Sequence, residues 1–161
     1  MSNLNEAIPQ DMSDQTAVAS FGAPLMSYTI KRSGGRPLRF EGSELMMAMS
    51  YSAASPYWYE INLYRTKDQE FVTAVRLFYQ AEDKQDTVRA WTTSSVDAAI
   101  AKLARYDAGY DVMVDHSMLD AGGPPAALAS RAVMLQARLA EARQHYKSLV
   151  GEFLYDLETG S

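Results

Sequence analysis

The residues able to do chemistry are few and far apart. The chain has two histidines, His116 and His145, and no cysteine, so thiolate zinc sites, disulfides and thiol nucleophiles are excluded. Asp115, His116 and Ser117 are the three residue types of a hydrolase triad. Consecutive positions do not converge on one reacting atom, so they read as a loop. No HExxH zinc pattern, GxGxxG fingerprint, P-loop or GxSxG nucleophile elbow occurs. His145 lies beside Tyr146 on a helical seam and reads as a flank residue rather than a ligand. Asp83 and Asp86 fall in a charged turn, where solvation is their default. Glu41, Glu44 and Glu60 lie near aromatic strands, and acid–base work by any of them needs a pocket that spacing does not reveal. The expectation is a non-enzymatic protein with no metal site and no cofactor.

Two constellations suit binding instead. Lys31, Arg32, Arg36 and Arg39 surround Gly34-Gly35 and are flanked by Tyr28 and Phe40. Cations on a ribbon meet phosphates and neighbouring aromatics stack on bases, which makes this hairpin a candidate nucleic-acid contact. If all four cations touched phosphates, affinity would fall with salt at a log–log slope of about −2.8 to −3.6. The net charge of −5 opposes a dedicated polyanion binder, so this reading is the alternative. The second constellation is a seam of Leu128, Ala132, Leu135, Leu139, Ala142, Tyr146, Leu149 and Phe153, alternately four and three residues apart. That 3.5-residue period is a coiled-coil signature, so Leu128, Leu135, Leu139, Tyr146, Leu149 and Phe153 form a candidate oligomer interface. Charges beside the seam follow no alternating code, so orientation is not encoded there.

These residues need elements to position them. With 161 residues, 47% of them apolar and 22% charged, the chain is sized for one globular unit that needs no cross-link to stabilise a core. Residues 1–23 show no apolar period and are expected to be a mobile tail. They carry neither the basic start nor the apolar run of a signal peptide, which points to a cytoplasmic location. Leu45–Met49 is the longest strictly apolar stretch, far below the roughly 20 residues a membrane span requires.

A sheet domain is expected over 24–114. Met26, Tyr28 and Ile30 alternate with polar residues as in a half-buried strand, and the glycine pair after Ser33 supplies a hairpin turn. The next run, from Arg36, carries Pro37 as an edge signal and Gly42 as a bend or bulge. Glu44–Met49 has high helix propensity but is flanked by extended segments, so it reads as strand. Tyr57–Arg65 and Phe71–Tyr79 form the clearest antiparallel pair, and Thr87–Thr93 extends the meander. Ser94-Ser95-Val96-Asp97 has capping-box spacing and opens a helix that Gly109 is placed to end. Tyr110–Val114 alternates as a last short strand. Residues 115–125 are the expected linker, and 126–157 a long helix that Gly151 weakens. The fold class is α+β: a mainly antiparallel meander of five or six strands, one packed helix and a long C-terminal helix.

The passage from Trp91 to Tyr110 resembles the end of a WGR domain, a small module associated with nucleic-acid-dependent enzymes. The Trp-Gly-Arg tripeptide that defines that module is absent, and no residue or function is carried over.

Sheet patterning raises a burial problem. Tyr57, Tyr59, Ile61 and Leu63 point one way while Trp58 and Tyr64 point the other; Phe71, Val75, Leu77 and Tyr79 oppose Val72, Ala74 and Phe78. One short helix covers only one apolar face. The other must meet the C-terminal helix, a second subunit or a ligand. The functional expectation is an interaction or regulatory module acting as a homodimer through its C-terminal helix.

Overall fold

The computed structural model describes residues 24–114 and 122–160; the expected tail, most of the linker and the Asp115-His116-Ser117 loop lie outside these. The fold is α+β. The described residues form five strands, β1 (Met26–Ile30), β2 (Leu38–Met49), β3 (Tyr57–Thr66), β4 (Phe71–Tyr79) and β5 (Thr87–Thr93). They form one sheet in sequence order, each antiparallel to the next. The glycine turn forms as expected, with Gly34 at φ 70°, a conformation glycine adopts without steric cost.

Pairing decides the ambiguous second strand. Met46 opposes Leu63 and Ala48 opposes Ile61, so cross-strand packing overrides the helix propensity of Glu44–Met49. The bulge sits at Leu45, where the register shifts between Glu44 and Met46, rather than at Gly42. Gly42 instead marks a close backbone approach: a Cβ there would lie 2.3 Å from the Arg65 carbonyl oxygen.

Helix α1 spans Val96–Arg105. Its N-cap is Ser95, whose hydroxyl accepts the Ala98 N–H at 3.1 Å, one residue beyond the expected box. The helix closes at Tyr106, not Gly109, and Ala108–Asp111 is a 3₁₀ turn where a sixth strand was expected. Asp107 explains the difference. Its carboxylate accepts the Gly109 N–H at 2.8 Å and holds Arg143 through two hydrogen bonds of 2.8 and 3.0 Å, tightening the chain where a strand would extend it. Helix α2 runs from Pro125 to Thr159, about 50 Å at about 1.5 Å per residue, and ends on Gly160 at φ 68°. It continues through Gly151.

Two cores result, one on each face. On the first, Tyr59, Ile61, Leu63, Val75 and Leu77 meet Ala99 and Leu103 of α1 and Ala142, Tyr146, Leu149, Val150 and Phe153 of α2. The second is closed by the sheet itself. Ile30, Tyr64, Val72, Ala74 and Ala90 bury together with Tyr28, Leu38, Phe40 and Val88, because the sheet curls until the β1–β2 turn reaches β5. Ser33 N–H donates to the Val88 carbonyl at 2.8 Å and Val88 N–H to the Ser33 hydroxyl at 2.9 Å. Twist and the β2 bulge give this part of the second face its own cover, so it needs no other subunit.

Candidate functional site

The long helix serves two surfaces. All its buried residues lie between Ala142 and Phe153. Tyr146, Leu149 and Phe153, expected at an oligomer interface, are therefore core residues of their own chain. The physical reason is area: α1 has 10 residues and cannot cover the helix-side face, so the second half of α2 completes it. The first half remains available. Between Pro125 and Glu141 no residue is buried; Leu128 is 37% exposed, Leu135 and Leu139 are half-buried, and Val133 is 68% and Met134 49% exposed. Alanines at 126, 127, 129 and 132 give this half strong helix propensity.

The basic hairpin does not protrude. Its turn is tied to β5 by the two Ser33–Val88 bonds, and the Arg32 Nε donates to the Arg36 carbonyl at 2.7 Å. Lys31, Arg36 and Arg39 are exposed and Arg32 half-buried. Tyr28 and Phe40 stack on each other at 5.3 Å and both pack on Tyr64, at 4.8 and 5.4 Å, so their rings belong to the second core.

A third feature was not legible in the sequence. The β3–β4 register sets Tyr57 opposite Tyr79, and strand alternation brings Tyr59 to the same face. There the 3₁₀ turn inserts Asp111, whose side chain is 3% exposed. The Tyr59 hydroxyl donates to Asp111 Oδ2 at 2.9 Å, the Tyr106 hydroxyl donates to the same oxygen, and the Tyr79 hydroxyl donates to the Asp111 carbonyl at 3.4 Å. Oδ1 is buried and accepts no hydrogen bond, and Arg89 Nη2 stands 3.9 Å away. Burial, then the Asp111 charge, pushes the Tyr59 hydroxyl far above the ordinary tyrosine value. Burial likewise raises Tyr106, Tyr57 and Tyr79, so these rings are neutral at physiological pH.

Beside this network lies a cavity of about 250 Å³, lined by Tyr57, Tyr59, Tyr79, Asp111, Lys84, Arg138 and Glu141 among others. Tyr57 and Tyr59 meet nearly at right angles, 86° with centroids 6.2 Å apart, and Lys84 Nζ lies 5.3 Å from the centre of the Tyr79 ring. His145 packs on Tyr57 at 5.3 Å, and its Nε2 shares a 2.7 Å hydrogen bond with the Ser50 hydroxyl. That hydroxyl also accepts the Tyr59 N–H at 2.9 Å, so the Ser50–His145 pair fastens α2 to the sheet. The sequence signal for the cavity was the shared parity of Tyr57, Tyr59 and Tyr79. Nothing in the spacing linked them to Asp111, which had been assigned to a strand.

Among the described residues, no group of three or more histidines, aspartates or glutamates is placed to hold a metal ion, and no helix is long and apolar enough to cross a membrane. The chain matches no protein-family model, no curated protein and no solved structure.

Proposed function

We propose that the protein is a non-enzymatic interaction module that uses its curled sheet to anchor one half of α2 and offers the other half to a second copy of the chain. The observation that carries this reading is the division of the helix: burial begins at Ala142, while Leu128, Leu135 and Leu139 keep part of their apolar surface in water. Two copies aligned along Leu128, Ala132, Leu135 and Leu139 cover that surface with about two heptads of knobs-into-holes packing. So short a seam, below the usual size of a stable interface, gives a reversible dimer. The anchored half fixes the direction of the free half and lowers the ordering cost of pairing.

Nucleic-acid binding by Lys31, Arg32, Arg36 and Arg39 is the competing reading, and Tyr28 and Phe40 leave it few free stacking faces. Sedimentation equilibrium of the full chain separates the two. A mass that rises with concentration and ignores DNA supports the helix reading. A monomer at every concentration refutes it, and a monomer that binds DNA with a steep salt dependence favours the hairpin.

A further inference from the structure

We infer that the cavity between the β3–β4 tyrosines and α2 is a binding site for a small organic ammonium group. Its walls are the chemistry that recognises such a cation. Tyr57 and Tyr59 form a near-perpendicular corner, Tyr79 supplies a third ring, and Asp111 contributes a buried carboxylate whose Oδ1 accepts no hydrogen bond and stands 3.9 Å from Arg89 Nη2. An aromatic face attracts a cation through its quadrupole, and the attraction grows where water is excluded. A volume of about 250 Å³ admits a methylated ammonium with a short tail and little more.

The chain provides its own precedent. Lys84, from the β4–β5 turn, places its ammonium over Tyr79 at 5.3 Å, so one ring of the site already holds a cation at the distance that cation–π attraction requires. Lys84 is exposed, whereas the tyrosine corner and Asp111 lie deeper. A ligand ammonium that reaches the corner competes with Lys84 for the aromatic surface. The charged groups facing the cavity are Asp111 and Glu141 on the acidic side and Lys84 and Arg138 on the basic side, with Arg89 beyond Asp111. The four lining charges balance and Arg89 adds a cation behind Asp111, so selectivity rests on the aromatic rings rather than on a net negative field. The raised tyrosine hydroxyls stay protonated, so the three rings act on a cation through their faces and not through ionic charge.

The test uses the full chain and two probes of nearly equal shape, choline and its uncharged carbon isostere 3,3-dimethyl-1-butanol, titrated with calorimetry and tyrosine NMR shifts as readouts. Choline is expected to bind at least about tenfold more tightly than the isostere, with shifts at Tyr57, Tyr59 and Tyr79. Lys84→Ala, at an exposed turn position, is expected to strengthen choline binding several-fold and leave the isostere unchanged. Tyr57→Leu is expected to remove most of the difference between the probes, with circular dichroism and thermal unfolding reporting that the fold is retained. Equal binding of the two probes, or no binding of choline to either the native chain or Lys84→Ala, overturns the proposal.

Discussion

Replacing Leu135 and Leu139 together by alanine tests the division of α2 most directly. Both leucines are already largely covered in the single chain, with at most about a third of each left in water, so each retains up to about 0.7 kcal/mol of the ~2 kcal/mol that full burial of its side chain yields. In a symmetric pair each substitution is felt in both copies, so the double variant removes up to about 3 kcal/mol, or up to about a hundredfold in Kd. Alanine is the strongest helix former, so the helix itself survives the change. Sedimentation equilibrium across a wide concentration range measures both association constants. Phe153→Ala is the control on the other half of the helix. Phe153 is fully buried against the chain's own sheet, so its truncation costs about 3–5 kcal/mol of folding stability. The two halves are therefore expected to separate, with association lost in one variant and unfolding resistance lost in the other. An unchanged Kd for the leucine variant refutes the reasoning, as does a Phe153→Ala protein of native stability.

Three further outcomes follow from the geometry. Gly42→Ala is expected to lower stability by about 1–3 kcal/mol because its Cβ meets the Arg65 carbonyl, whereas Gly151→Ala, facing open space on a helix, adds roughly 0.5–1 kcal/mol; urea titrations measure both. Burial holds Tyr59, Tyr106 and Tyr146 protonated above their usual value of 10.0, so above about pH 10 the folded chain binds more protons than the unfolded one. Stability is then full below pH 10 and falls as pH rises, and tyrosinate absorbance near 295 nm is expected to appear together with loss of helical circular dichroism. The Arg143 hydrogen bonds lower the Asp107 carboxyl below its ordinary 3.8, so their contribution is present above that pH and fades as pH drops below it. This pair is solvent-exposed and contributes little; Arg143→Gln is expected to lower Tm slightly at neutral pH, with the difference from the native chain shrinking as pH falls below 3.8.

Strand identity was legible because it depends on alternation, and Tyr57–Arg65 and Phe71–Tyr79 carry that period plainly. Glu44–Met49 was legible only through its flanks, since its own propensity points to helix. Tyr110–Val114 misled because alternation over five residues also fits a 3₁₀ turn, and two of the side-chain bonds that hold the turn, Arg143 to Asp107 and Tyr59 to Asp111, come from residues distant in sequence. The period of the α2 seam could not say which half of the helix packs on the sheet and which stays in water. The tyrosine cavity escaped altogether, because Tyr59 and Asp111 are 52 residues apart and only the closed fold makes them neighbours.

By itself the amino-acid order determined the α+β class, the antiparallel meander, the long helix and the lack of any thiol chemistry, since each is a local property of pattern or composition. Tertiary structure alone decided that the sheet curls to bury part of its own second face, that half of α2 is spent on the core, and that a carboxylate is sunk among tyrosines. Those outcomes depend on how much apolar area one surface leaves for the next to cover, a quantity that belongs to the assembled molecule and to no segment of it.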